Sequence, residues 1–203
     1  MSNTVKVVPI RDQIADQIRS DIISGELEPS EKLNEQALAE RFGVSRGPIR
    51  DVIIELTKEG LLITKKNRGA SVNSALDADL QDLMFGIRLK IEEFATQHVK
   101  GKLNDTDFTA LESILDHLQE SFNKEDFTEV TKTDIDFHRY IVGKAGGETL
   151  TNLWYSIVMR MRMSYSRLDN SSDCYDEHKV ILDALRADDT ETAIEALRAN
   201  IKA

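Results

Sequence analysis

Residues 34–60 read NEQALAERFGVSRGPIRDVIIELTKEG. Asn34 stands where a helix N-cap is wanted, and the apolar residues after it have helical spacing. "GV" at 43–44 is a tight turn. Ser45 then offers an oxygen to cap a second helix, and Gly60 stops it. Pro48 falls in the first turn of that helix, where backbone N–H groups have no internal partner. On the N-terminal side, Ile10, Ile14, Ile18 and Ile22 form a four-residue stripe, which predicts an amphipathic helix over 10–23. Gly25 and Pro29 in "SGELEPSEKL" break it. On the C-terminal side, "LLITK", "KNRG" and "ASVN" predict a small β-hairpin. Helix, short helix, turn, third helix and hairpin make the order of a winged helix-turn-helix.

In such a unit the third helix enters a major groove and its N-terminal residues meet base edges. Here those residues are Ser45, Arg46, Gly47 and Arg50. An arginine fork can donate two hydrogen bonds to guanine O6 and N7. Ser45 can reach a phosphate, and the helix N-terminus itself favours anions. Lys65, Lys66 and Arg68 fall at the hairpin tip, suited to flanking backbone or minor groove. The competing reading is an ordinary helical subdomain with solvated charges.

The charge distribution bears on that choice. The chain has 203 residues and a net charge of −10. Residues 1–76 carry 11 basic and 11 acidic residues, so the whole excess lies in 77–203. Residues 41–68 hold seven basic and three acidic residues. A basic patch on a neutral head, beside an acidic body, points one end of the chain at a polyanion. The single cysteine, Cys174, excludes an intrachain disulfide framework. No apolar run approaches membrane-spanning length and no signal-peptide core is present, so a cytoplasmic protein without membrane contact is expected.

Residues 77–203 predict an all-α body of about six helices, over 77–100, 105–123, 126–143, 147–168, 172–187 and 189–202. "TDIDFHRY" at 133–140 places Asp134 and His138 one turn apart on one helix face. A carboxylate and an imidazole so placed are half of a metal site, or a helix-stabilising pair. Arg88 lies in the apolar stripe Met84, Arg88, Ile91, Ala95 and therefore points inward. A buried guanidinium needs a partner: an effector carboxylate, or Asp134 or Glu92. Arg160 and Arg162 are further candidates to line a cavity, with nothing to separate them.

Residues 18–72 resemble the DNA-binding domain of GntR-type bacterial transcription regulators, through "GELEPSEKLNEQALAERFGVSRGPIR" and "EGLLITKKNRGASV". The resemblance implies a DNA-facing set of Gln36, Ser45, Arg46, Gly47, Arg50, Lys66, Arg68 and Gly69. Ser30 stands where the pattern has glycine. Gly47 stands where it has serine or threonine, which removes a hydroxyl able to contact DNA. The body resembles the FCD-type ligand-binding domain of the FadR branch, through Arg88–Glu92, Asp134–His138 and "DEHKVILDALRADDTETAIEALRANI" at 176–201. That resemblance implies a divalent metal (Zn, Ni, Mn or Fe) held by Asp134, His138, His178 and a third histidine. Asn200 occupies the third histidine's place, and an amide oxygen is a weaker ligand than imidazole.

Together these readings predict a homodimeric regulator, a repressor, with domains 1–76 and 77–203. It would bind a pseudo-palindromic double-stranded operator and respond to a small carboxylate effector. Two rivals share the residues: a regulator that responds to the metal itself, and a metal-dependent hydrolase fused to a helix-turn-helix.

Overall fold

The computed structural model describes residues 8–65, 69–163 and 174–201. The chain divides into two compact units, Met1–Ala75 and Leu76–Ala203.

The first unit follows the isoleucine stripe. Helix α1 (Ile10–Ile23) buries Ile14, Ala15, Ile18 and Ile22, whereas Ile10 is exposed. It packs on α3 (Arg46–Lys58), which contributes Ile49, Val52, Ile53 and Leu56. Each such side chain, removed from water, stabilises the unit by about 1.5–3 kcal/mol before entropy is counted. Helix α2 (Glu35–Phe42) starts as expected, with the Asn34 side chain accepting from the Gln36 and Ala37 amides. It ends at Gly43, whose φ of 65° only glycine adopts readily. Buried Asp21 on α1 is paired with Arg41 on α2 at 2.5 Å, so its charge is compensated.

The wing is larger than the predicted hairpin. Strands β2 (Leu62–Lys65) and β3 (Gly69–Val72) pair antiparallel, and β1 (Lys32–Leu33) adds to the far side of β3. Two residues carry too little alternation to announce a strand, and β1 is recruited by its partner. Ser30, just before it, has φ of 70° while its amide donates to the Val72 carbonyl. The glycine of the family pattern thus has a conformational reason, and serine there is strained.

The second unit is helical: α4 (Ala78–His98), α5 (Asp105–Asn123), α6 (Phe127–Arg162), α7 (Cys174–Arg186) and α8 (Thr190–Asn200). Their starts are written locally. Asp77, Asp126 and Asp189 cap α4, α6 and α8, and Asn104 with Asp107 forms a capping box on α5. The expected break between 126–143 and 147–168 is present, within "KAGGE". It is narrower than expected, a kink at Gly147 (φ 62°, ψ −158°) that divides α6 into two helical arms. Residues 164–168, the predicted end of that second helix, lie outside the described residues. Helix α4 packs along α6, α5 also packs on α6, and α7 pairs with α8. This packing brings one turn of α4, both arms of α6 and the start of α7 to a common centre.

Candidate nucleic-acid face and buried ligand centre

The third helix of the head presents its basic residues outward. Arg46 and Arg50 are more than half exposed and both donate to one oxygen of Glu35, with Nη2–Oε2 of 2.6 Å and Nε–Oε2 of 2.8 Å. The Arg46 and then the Arg50 hydrogen bond hold the Glu35 carboxyl below its ordinary range. One carboxylate from α2 therefore aligns two guanidinium forks on α3. The sequence reading missed Glu35, since only the fold brings it to Arg46 and Arg50. Ile54, four residues beyond Arg50, is 54 % exposed and extends the row with an apolar group of the kind that packs on a thymine methyl.

Ser45 is a correction. It sits at the N-cap position of α3 with extended backbone, but its side chain makes no capping hydrogen bond. Its exposed hydroxyl is left for an outside acceptor. Gly47 is exposed, and a side chain there would meet only the Ser45 Oγ at 3.8 Å, so serine or threonine would fit. Exposed Gln36 donates to Glu40, and Gly69 opens β3 with φ of 77°. Lys66 and Arg68 lie outside the described residues.

The body holds a buried polar centre. Asp134, His138 and His178 each offer a ligand atom, and these atoms lie within 4.8 Å of one another. Asp134 and His138 come from the first arm of α6 and His178 from α7; both imidazoles are fully buried. His178 is oriented by its own helix, since Nδ1 lies 2.7 Å from the Cys174 carbonyl. That bond identifies Nδ1 as the donor and turns Nε2 toward Asp134 Oδ1, 3.3 Å away. His138 has Nδ1 at 2.6 Å from Glu92 Oε2 on α4. Neither of these two approaches is aligned as a hydrogen bond, and both His138 ring nitrogens and His178 Nε2 are left buried without a hydrogen-bond partner among the described residues. Orphaned buried nitrogens are costly, and in native proteins they are accounted for by an ion, water or ligand. Two imidazoles and a carboxylate are a donor set for a borderline divalent metal, and a carboxylate behind one imidazole is the common supporting arrangement. The residues present fit such an ion.

Glu92 is the second residue that sequence reasoning missed in its full role. It was visible as the i+4 partner of Arg88, and Arg88 Nε does donate to it at 2.7 Å. It also accepts from Trp154 Nε1 at 2.7 Å, on the second arm of α6, and backs His138. Burial pushes the Glu92 carboxyl up, but His138 and Arg88 outweigh it and bring it down to about 2. Asp134 behaves alike: burial raises its carboxyl, and Arg162 with the two histidines takes it well below the usual range. His178 is pushed down by burial and, more strongly, up by its contacts with Asp134 and Cys174.

The remaining candidates separate. Arg162 is buried and ion-paired with Asp134 Oδ2. Arg160, two residues earlier, is half-buried and donates to Met163 Sδ. Asn200 lies on the Nδ1 side of His178, with Nδ2 at 3.5 Å from that nitrogen and 3.2 Å from Glu177 Oε2. Its amide thus faces the edge of the imidazole that the centre does not use.

Comparison with known proteins agrees with the two-part architecture. Residues 10–72 match the family model "Bacterial regulatory proteins, gntR family", and residues 83–203 match the FCD domain. The chain is 32 % identical to the uncharacterized HTH-type transcriptional regulator YdhC of Bacillus subtilis, over 73 % of this chain and 66 % of that one. It is 27 % identical to the gluconate operon transcriptional repressor of Bacillus licheniformis, over 93 % and 80 %. Among solved structures, E. coli McbR/YncC superposes with a TM-score of 0.82 at 21 % identity, covering 96 % of this chain and 94 % of that one, which establishes a shared fold. These relatives are regulators, so the fused-hydrolase reading is set aside. The chain belongs to the GntR family of DNA-binding transcription regulators, in the branch that carries an FCD domain.

Proposed function

We propose that this protein is a cytoplasmic, homodimeric repressor whose operator affinity falls when a small carboxylate enters the FCD domain. One observation carries the reading. A single chain joins an exposed arginine pair, preset by Glu35, to a buried Asp134–His138–His178 centre in which three imidazole nitrogens make no aligned hydrogen bond among the described residues. Arg46 and Arg50 would read base edges, while Ser45 and the wing residues, including Lys66, Arg68 and Gly69, would fix register on phosphates. Asp134, His138 and His178 would hold a divalent metal, which supplies a Lewis-acid seat for a carboxylate oxygen. Arg88 and Glu92 orient His138 and keep the centre ordered. Arg162 closes it from the second arm of α6, while Arg160 lies apart on Met163. Asn200 completes the polar surround at the back of His178.

Two copies are required by the logic of a two-fold operator. A suitable face exists on α4 and the second arm of α6. Leu83, Ile87 and Phe94 are exposed there and, with Leu150, line an apolar groove of about 660 Å³. Control follows if the carboxylate binds one arrangement of the dimer better than the other, which shifts the population competent for DNA.

The test is selection of binding sites from random duplex DNA. The expected outcome is enrichment of an inverted repeat, lost in Arg46→Ala and Arg50→Ala. Enrichment of a single asymmetric site, or none, would overturn the dimeric-operator reading.

A further inference from the structure

The centre has an unusual charge inventory for a metal site. Asp134 Oδ2 is already paired with the Arg162 guanidinium, and Oδ1 faces His178. Among the described residues the buried carboxylates at this centre are Glu92 and Asp134, and the buried guanidiniums are Arg88 and Arg162. Even with both imidazoles neutral, the described residues balance without any ion. A divalent cation adds two positive charges in a low-dielectric setting with no further buried carboxylate at the centre among the described residues. It must also share Asp134 with a group that is never deprotonated.

We infer that Arg162 and the metal are rival partners of Asp134, so that metal enters this centre only weakly by itself and is drawn in by an anion bound with it. The inference rests on the metal-site reading above and deepens it. In the metal-free state Arg162 serves as the standing counter-ion of Asp134, and the site stays folded without an ion. Metal uptake weakens that pairing and adds positive charge, which a small carboxylate, or better a dicarboxylate, neutralises. By linkage, an anion that tightens the metal is itself tightened by it to the same degree. A regulator wired this way answers to the pair of ligands and stays indifferent to the ion alone.

The experiment is a titration of metal-stripped full-length protein with zinc(II) and manganese(II) against a chromophoric competitor, in carboxylate-free buffer, with and without succinate as the probe anion. Wild type and Arg162→Met are compared. The expected result is metal binding at least tenfold tighter in Arg162→Met without succinate, and tightening by succinate that is larger in wild type than in the variant. Equal affinities with equal succinate effects overturn the rivalry while leaving the metal site intact. No binding in either protein overturns both. Because Arg162→Met removes a buried partner of Asp134 and so threatens the fold, wild type is also followed directly. The arginine Nε–H resonance of Arg162, assigned by its loss in Arg162→Lys, is expected to shift or broaden in step with bound metal. A resonance unchanged at full occupancy sinks the inference.

Discussion

Replacing Glu92 by glutamine removes one negative charge and keeps the shape. The carboxylate accepts from Arg88 and Trp154 and backs His138, joining α4 to both arms of α6. The amide retains an acceptor, but Arg88, only 4 % exposed, loses the charge of its Glu92 partner. Two routes give the magnitude. Breaking a buried ion pair by removing one partner costs about 3–5 kcal/mol. Holding the carboxyl at about 2 instead of 4.5 corresponds to about 3 kcal/mol in favour of the ionised folded state. We therefore expect Glu92→Gln to destabilise the second unit by about 3 kcal/mol. The folded-state pKa is depressed, so this stabilisation is present above the unfolded value near 4.5 and is lost as pH falls toward 2. Urea unfolding followed by fluorescence reports it, because the chain has one tryptophan and Trp154 touches Glu92. At pH 7 the variant should unfold at lower urea, and the gap should narrow below pH 4.5. A variant within about 0.5 kcal/mol of wild type at pH 7 would refute the network's structural role.

Arg46→Ala should weaken operator binding by about 1–3 kcal/mol and relax sequence preference, measured by fluorescence anisotropy against the selected site and a scrambled one; an equal loss on both duplexes would reassign Arg46 to phosphate. Ser30→Gly relieves a left-handed serine at φ of 70° and should stabilise the head by up to about 1 kcal/mol in thermal unfolding, where no gain would show that the strain is absorbed elsewhere. Asp107 is held at about 2 by Lys144, the Asn104 amide and Tyr140, so Asp107→Asn should lower Tm at neutral pH, with the difference disappearing as pH falls through the ordinary carboxylate range toward 2. A pH-independent Tm gap would contradict that assignment.

Much of the architecture was legible because its signals are local. The isoleucine stripe of α1, the Asn34 cap, Gly43 and Gly60 mark the head within a few residues each. The same holds for Asp134 and His138, one turn apart. What escaped depends on contacts distant in sequence. Strand β1 is two residues long and exists because β3 accepts it. Glu35 reaches Arg46 and Arg50 across the turn, and Glu92 meets Trp154 sixty-two residues away. Arg160 and Arg162 look equivalent in "MRMRM", yet helical geometry sends only Arg162 to Asp134. Glycine content signalled a break near 144–148 but not its length, because a single φ of 62° at Gly147 bends α6 without a loop.

The central claim is that Asp134, His138 and His178 form a metal centre despite Asn200. The most direct test is elemental analysis of purified, untagged protein after reconstitution with metal and succinate, beside His138→Ala and His178→Ala. The account predicts about one equivalent of divalent metal per chain in wild type and loss in both variants. Metal retained in the variants, or absent from folded wild type, would contradict it.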